Sequence, residues 1–415
     1  MTSASSNLER LRALYDPHYV RHVESSHAAP VQVCLDSRVL QDAAGTGVAT
    51  YARMLAKSLP DAGAAPLLLD DGGDDGARAR LHRWMAATRA GPRQAAPENG
   101  GEDEAPAQWI VRDVFREAQV FFNLHGRALR IEMTTPPQVM HWTYPLPLYV
   151  AGARNLYSVH DLIPITNPQL STINPARHRA ILREVVRNAY AVVTVSECVR
   201  REIVAHLAMP QARVINTYQG VDAPLQTDPP LPGALRSGRY FLFCGRVERR
   251  KNLARLVEAH ARSGTAQDLV IVGPEVPGEE ALETLLRRQP GVVRLPWLPR
   301  PELLALMRRA RALLFPSLAE GFGLPVAEAM VLGCPVLTSD RGALAEVAAQ
   351  AALLVDPQDV AALAEGIGRL DTDDVLCGRL REAGFARGKM FGQDVYARRL
   401  RALYADALAA PGCAA

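Results

Sequence analysis

Two carboxylates and a cluster of cations carry the chemistry that this sequence offers. Glu320 and Glu328 lie in Phe315–Asp340, FPSLAEGFGLPVAEAMVLGCPVLTSD. The apolar run ending at Phe315 reads as a buried strand, Glu320-Gly-Phe-Gly323 as a glycine-rich turn, and the stretch from Leu324 as a helix with Pro325 in its first turn, where no hydrogen bond is lost. One acid therefore sits in the loop at a strand's carboxyl end and the other in the first turns of the next helix. In open α/β sheets that edge is where ligands bind. Gly321 and Gly323 imply close backbone approach. The ordinary alternative is a solvated loop charge and an exposed helix residue. Arg246 and Lys251, in CGRVERRKN, follow the apolar strand 239–244 and open a helix. Cations there suit a diphosphate, whose charge grows as it departs; a solvated basic surface is the alternative. His160 and Asp161 end a third apolar strand. Gly45 and Gly47 lie between the strand Val31–Asp36 and a helix, a phosphate-cradle order or an ordinary tight turn.

These residues need two α/β units to position them. The 415 residues suit two domains. Hydrophobic content of 48% and charged content of 22% are those of an ordinary globular protein, and a net charge of +3 gives no argument for nucleic acid. Six scattered cysteines without a CxxC fit buried thiols in a reducing compartment. No long apolar run or signal segment is evident, so a cytoplasmic protein is expected.

Along the chain, residues 1–29 read as a polar tail and 30–221 as a first α/β domain. Strands are expected at Val31–Asp36, Ala65–Asp71, Ala118–Leu124, Gln138–Trp142, Leu156–Asp161, Ala191–Ser196 and Arg213–Tyr218. Residues 72–107 read as a solvated excursion with one helical piece at Arg78–Thr88. The helix Asn174–Asn188 carries Arg177, Arg179, Arg183 and Arg187, a face suited to anionic headgroups or to solvent. Residues 222–238 are proline-rich and read as a stiff linker. Residues 239–392 restart a regular βα alternation, which predicts a parallel sheet covered on both faces. A last helix occupies 393–409 within a terminal segment 393–415.

Taken together, Gly-Arg246…Lys251-Asn252, EGFGLPVAEAMVLGCPV, VHDLIPI around His160-Asp161, and VTVSE at 193–197 resemble the family 4 retaining glycosyltransferases. The resemblance covers most of residues 31–405. It implies the GT-B fold: two Rossmann-like parallel-sheet domains facing a central cleft, with the last helix crossing back to the first domain. His-Asp-Leu-Ile-Pro with Lys-Asn looks like the branch building bacterial surface polysaccharides such as lipopolysaccharide, often with mannose.

The resemblance also implies roles. Arg246 and Lys251 bind the donor diphosphate. Glu328 holds the ribose hydroxyls. Glu320, with the amides of Gly321, Phe322 and Gly323 and with Leu324 beside them, holds the sugar. His160 and Asp161 face it across the cleft. Gly45 and Gly47 lie near the phosphates and acceptor, and Trp297 and Leu298 meet the base. Pro296 departs from the family's usual glycine, which leaves the base open. The expected donor is a nucleotide-diphospho sugar, GDP-mannose first. The expected acceptor is a saccharide or lipid-linked oligosaccharide, with peripheral contact at the inner membrane face. No cofactor and no metal are expected. Alternatives are an epimerase or phosphorylase of the same fold, and a binding-only scaffold.

Overall fold

A computed structural model of the chain describes residues 30–40, 47–72, 77–98, 108–223 and 229–409. The tail 1–29, Gly45, and parts of the 72–107 excursion and of the proline-rich stretch lie outside the described residues.

The first half is organised by an eight-stranded sheet. Its spatial order is Val214–Asn216, Ala191–Thr194, Arg154–Val159, Val139–Trp142, Val31–Asp36, Ala64–Asp70, Gln108–Ile110, Ala96–Glu98. Every neighbouring pair is parallel except the last, Ala96–Glu98 on Gln108–Ile110. The second half is a six-stranded parallel sheet ordered Val292–Leu295, Asp268–Val272, Tyr240–Cys244, Ala312–Phe315, Val336–Ser339, Leu353–Val355. In chain order that is 3-2-1-4-5-6, the doubly wound arrangement, and its direction reverses between Tyr240–Cys244 and Ala312–Phe315. YFLFC and ALLF are wholly buried, as strands covered on both faces must be.

One expected strand is a helix. The expectation at Ala118–Leu124 is overturned by the helix Val114–His125. Phe115, Ala118, Phe121 and Phe122 recur at the 3.6-residue period and are buried together, so the apolar pair Phe121-Phe122 marks a helix face. A small third sheet, Arg93–Gln94 with Leu129–Glu132 and Leu148–Val150, was not foreseen. An αL turn in front of that helix is set by Asp113, with φ 57°.

The last helix, Gln393–Ala409, lies against the first half. Arg401 donates to the Asp61 carbonyl at 2.7 Å. Tyr404 joins a buried polar chain: its hydroxyl is 2.9 Å from His141 Nδ1, His141 Nε2 is 3.0 Å from Ser158 Oγ, and Ser158 Oγ is 2.7 Å from the Tyr51 hydroxyl. Burial, with His160 nearby as a lesser cause, lowers the His141 pKa to about 3. The folded state therefore keeps His141 neutral while the unfolded chain protonates it below about pH 6.5. The unfolded state then binds the extra proton, so stability falls as pH drops through that window, by about 1.4 kcal/mol per pH unit from this group. Urea unfolding of wild type and His141→Gln at pH 7 and pH 5 checks this. The stability gap between them should shrink at pH 5; a constant gap would show that His141 is not held neutral.

Candidate active site

The site residues converge on the reversal point of the second sheet. After Tyr240–Cys244 the chain turns at Gly245, and Gly273 at the end of the neighbouring strand lies so close that a Cβ there would sit 1.8 Å from the Gly245 carbonyl oxygen. A 3₁₀ turn, Arg249–Lys251, follows. Asn252 adopts φ 62° and donates to the carbonyls of Pro316 (3.1 Å) and Pro357 (2.6 Å). That anchors the basic turn against the loop after Ala312–Phe315.

The turn aims two cations at one carboxylate. Lys251 Nζ lies 2.6 Å from Glu320 Oε1, and Arg250 Nη1 lies 2.7 Å from Glu320 Oε2. Arg250 also pairs with Glu248 at 2.6 Å. All three partners of the Glu320 cluster are largely withdrawn from solvent, and Lys251 packs 4.8 Å from the Phe315 ring centre. Burial pushes the Glu320 pKa up, but Arg250 and Lys251 override it and bring it down to about 2. Burial pulls Lys251 below its ordinary value, with Glu320 opposing. Arg250 is held above its ordinary value: burial works against its charge, and Glu320 and Glu248 outweigh it. Arg246 stands apart. Its side chain is 51% exposed and 3.5 Å from Glu248.

Glu328 is on the helix Leu324–Val331, which begins after Gly323 with Pro325 in its first turn. It is buried and paired at 2.7 Å with Arg300, the first residue of the helix Arg300–Arg309. Burial raises its pKa despite that cation. Arg300 also donates to the Asp222 carbonyl at 2.7 Å. The two glutamates thus hold different cations. Phe322 is buried against Phe391, with ring centres 5.4 Å apart, and Leu324 is half-buried. Trp297 is 38% exposed and Leu298 half-buried, just past the edge strand Val292–Leu295. Gly47 opens the helix Gly47–Ser58.

The first half meets this loop directly. At Gly321 a Cβ would stand 1.8 Å from the His160 carbonyl oxygen, so only glycine fits. Ser196 Oγ donates to the Gly321 carbonyl at 2.7 Å. The Glu346 carboxylate accepts the amides of Glu197 and Cys198, both at 2.7 Å, at the start of the helix Glu197–Leu207. An acidic side chain is favoured at that end. His160 is wedged between Tyr51, edge-on at 4.7 Å, and Tyr144, near-parallel at 6.5 Å. Asp161 Oδ1 accepts the Ile163 amide at 3.0 Å and so shapes the turn after the strand.

Of the expected residues, Lys251, Glu320, Gly321 and His160 are brought together, Glu328 lies on the following helix, and Arg246 lies at the rim. Arg250, Glu248, Arg300, Ser196 and Glu346 were not singled out in the sequence. For Arg250 the signal was the run Arg249-Arg250-Lys251 itself; for Arg300 it was its place between Pro299 and Pro301 at a helix start. Among the described residues no group of three or more His, Cys, Asp or Glu could hold a metal ion, and no helix is long and apolar enough to cross a membrane.

Residues 233–387 match the family described as glycosyl transferases group 1, and residues 45–224 match Glycosyltransferase Family 4. Over 253 residues the chain is 30% identical to O-antigen chain mannosyltransferase B of Escherichia coli, a match spanning 57% of this chain and 66% of that one. Sucrose-phosphate synthase from Thermosynechococcus elongatus superposes with a TM-score of 0.67 at 20% identity, covering 92% of this chain and 100% of that one. Anabaena HepE, solved with UDP and glucose, gives 0.62 at 16% identity over 91% and 99% of the two chains. At those identities the structural likeness concerns the fold alone.

Proposed function

The chain belongs to the family 4 glycosyltransferases and has their GT-B fold, and we propose that it transfers a hexose, mannose first, from a nucleotide-diphospho sugar to a saccharide or lipid-linked saccharide with retention at the anomeric carbon. The observation that carries the reading is the buried Lys251–Glu320–Arg250 cluster at the sheet's reversal point, next to the Gly321 backbone that packs on the His160 carbonyl. On this reading residues 239–392 hold the donor, 30–221 face the acceptor, and 222–238 link them, with 393–415 returning to the first half. Lys251, with Arg250 beside it and Arg246 at the rim, offsets charge on the departing diphosphate. Glu320 yields part of its hold on these cations and turns to the sugar hydroxyls. Glu328 shares its carboxylate between Arg300 and the ribose.

Departure of the nucleoside diphosphate leaves an oxocarbenium-like sugar. The acceptor hydroxyl attacks on the face the diphosphate leaves and gives its proton to that phosphate. Mannose as the sugar, and surface polysaccharide as the product, rest on the likeness to an O-antigen mannosyltransferase. The acceptor is reached at the inner membrane face, where exposed Arg177, Arg183 and Arg187 offer charge to anionic headgroups.

Thermal-shift titration with GDP, UDP, dTDP and ADP, with and without EDTA, tests the donor. A shift confined to GDP and indifferent to EDTA, followed by transfer from GDP-mannose to an O-antigen-type saccharide, is the expected result. No shift with any nucleotide would overturn the reading.

A further inference from the structure

Asp36 is a buried carboxylate with no ion-pair partner among the described residues. It closes the strand Val31–Asp36 and is fully buried. Both of its oxygens are spent on one neighbour. Thr143 N–H donates to Oδ2 at 2.6 Å, and the Thr143 hydroxyl lies 3.0 Å from Oδ1 and 2.9 Å from Oδ2. The pairing of Leu35 with His141 across the sheet brings the two strand ends side by side. Arg38 is the cation acting on it, without forming an ion pair; burying a carboxyl that has no ion-pair partner is costly, and an apolar residue would end this strand at no such cost. The Thr143 carbonyl, in turn, accepts from His160 Nε2 at 2.9 Å.

A carbonyl only accepts, so Nε2 must carry the proton. Burial is the largest influence on His160 and lowers its pKa, so the ring is neutral and Nδ1 is left bare. Among the described residues Nδ1 has no partner. Tyr51 and Tyr144 fix the ring plane, and the Gly321 backbone closes on the His160 carbonyl.

We propose that Asp36 is a positioning residue: through Thr143 it holds His160 as the Nε2–H tautomer and presents Nδ1 as a hydrogen-bond acceptor for a hydroxyl of the sugar or the acceptor. The role in transfer rests on the glycosyltransferase reading above; the tautomer does not. With Asp36 holding both the amide and the hydroxyl of Thr143, the carbonyl of that residue has one orientation. Without it the carbonyl swings, and the ring loses the contact that decides which nitrogen is protonated.

The test labels the protein with 15N-histidine and reads the His160 ring by long-range 1H–15N correlation, assigned with His160→Gln. Wild type should show Nε2–H with bare Nδ1 at pH 7.5. Asp36→Asn should show a mixture of tautomers and about tenfold lower kcat, with KM for the donor nearly unchanged and melting close to wild type. Wild-type protein showing Nδ1–H or a charged ring would overturn the proposal, and so would Asp36→Asn with wild-type tautomer and kcat. If Asp36→Asn does not fold, Thr143→Val keeps the backbone amide and carbonyl and removes only the hydroxyl; partial tautomer mixing is then expected, and none overturns the role. The ring is read in the free protein. A wrong tautomer therefore sinks the positioning role, whereas absence of transfer by wild type with the tautomer intact sinks the transferase reading instead.

Discussion

Lys251→Ala is expected to lower kcat by about 100- to 1000-fold while KM for the donor rises far less. Lys251 is a buried ammonium with one carboxylate partner, Glu320, at 2.6 Å. In the proposed reaction its charge matters most when the diphosphate departs and gains negative charge, so its loss raises the barrier more than it weakens ground-state binding. Arg250 remains in the variant, but it is shared between Glu320 and Glu248. Its geometry therefore does not replace a free ammonium at the Lys251 position. Lys251→Arg should recover little, because the guanidinium is planar and larger in a packed site against Phe315. Steady-state kinetics with a saturating acceptor decide the matter. A kcat within about fivefold of wild type would remove Lys251 from the transition state, since one such donor ordinarily supplies far more.

The second half of the fold was legible because its four central strands are buried on both faces. YFLFC and ALLF, the LVIV of DLVIV and the apolar start of VLTS are short runs broken by turn residues, and a parallel sheet covered on both faces buries them. The first half was harder where apolar runs are short. In VFREAQVFFNLH the adjacent phenylalanines look like a strand, and only the spacing from Phe115 shows the helix face. The three-residue strand Leu148–Val150 sits among prolines and has too little pattern to be read.

Within the site, the glycine loop and the charged residues around it announce themselves by type. What the sequence does not convey is which neighbour each charge meets. In Arg249-Arg250-Lys251 three cations follow one another, and the 3₁₀ turn decides that Arg250 and Lys251 reach Glu320. Asp36 looked like an ordinary strand end. Its partner Thr143 is 107 residues away, joined to it only by the pairing of two parallel strands. Glu346, in the second half, likewise meets amides of the first half, 149 and 148 residues distant. Such contacts are properties of the assembled fold, whereas apolar periodicity is a property of the segment.

Glu320→Ala is expected to destabilise the protein by about 3–5 kcal/mol, the cost of breaking a buried ion pair from one side. The substitution leaves Lys251 and Arg250 facing each other with their shared carboxylate gone. Burial already lowers the Lys251 pKa, and the variant removes the group that resists this. Glu320→Gln should cost less, because the amide oxygen still accepts from one cation. The dependence on pH follows from the depressed Glu320 pKa of about 2. Above about pH 4.5 the carboxylate is ionised in both folded and unfolded chains and its full contribution is present. Below that the unfolded chain takes up a proton first, so the wild-type advantage over Glu320→Ala should decline as pH falls toward 2. Urea midpoints for the pair at pH 7 and pH 4 measure the decline. The same variant probes the anion site without any turnover. If a diphosphate takes the place that the Glu320 carboxylate holds between the two cations, inorganic pyrophosphate should raise the melting temperature of Glu320→Ala more than that of wild type, since in the variant it meets no competing carboxylate. Equal shifts in the two proteins would mean that the diphosphate binds away from Lys251 and Arg250, and that Glu320 is a structural counter-charge alone.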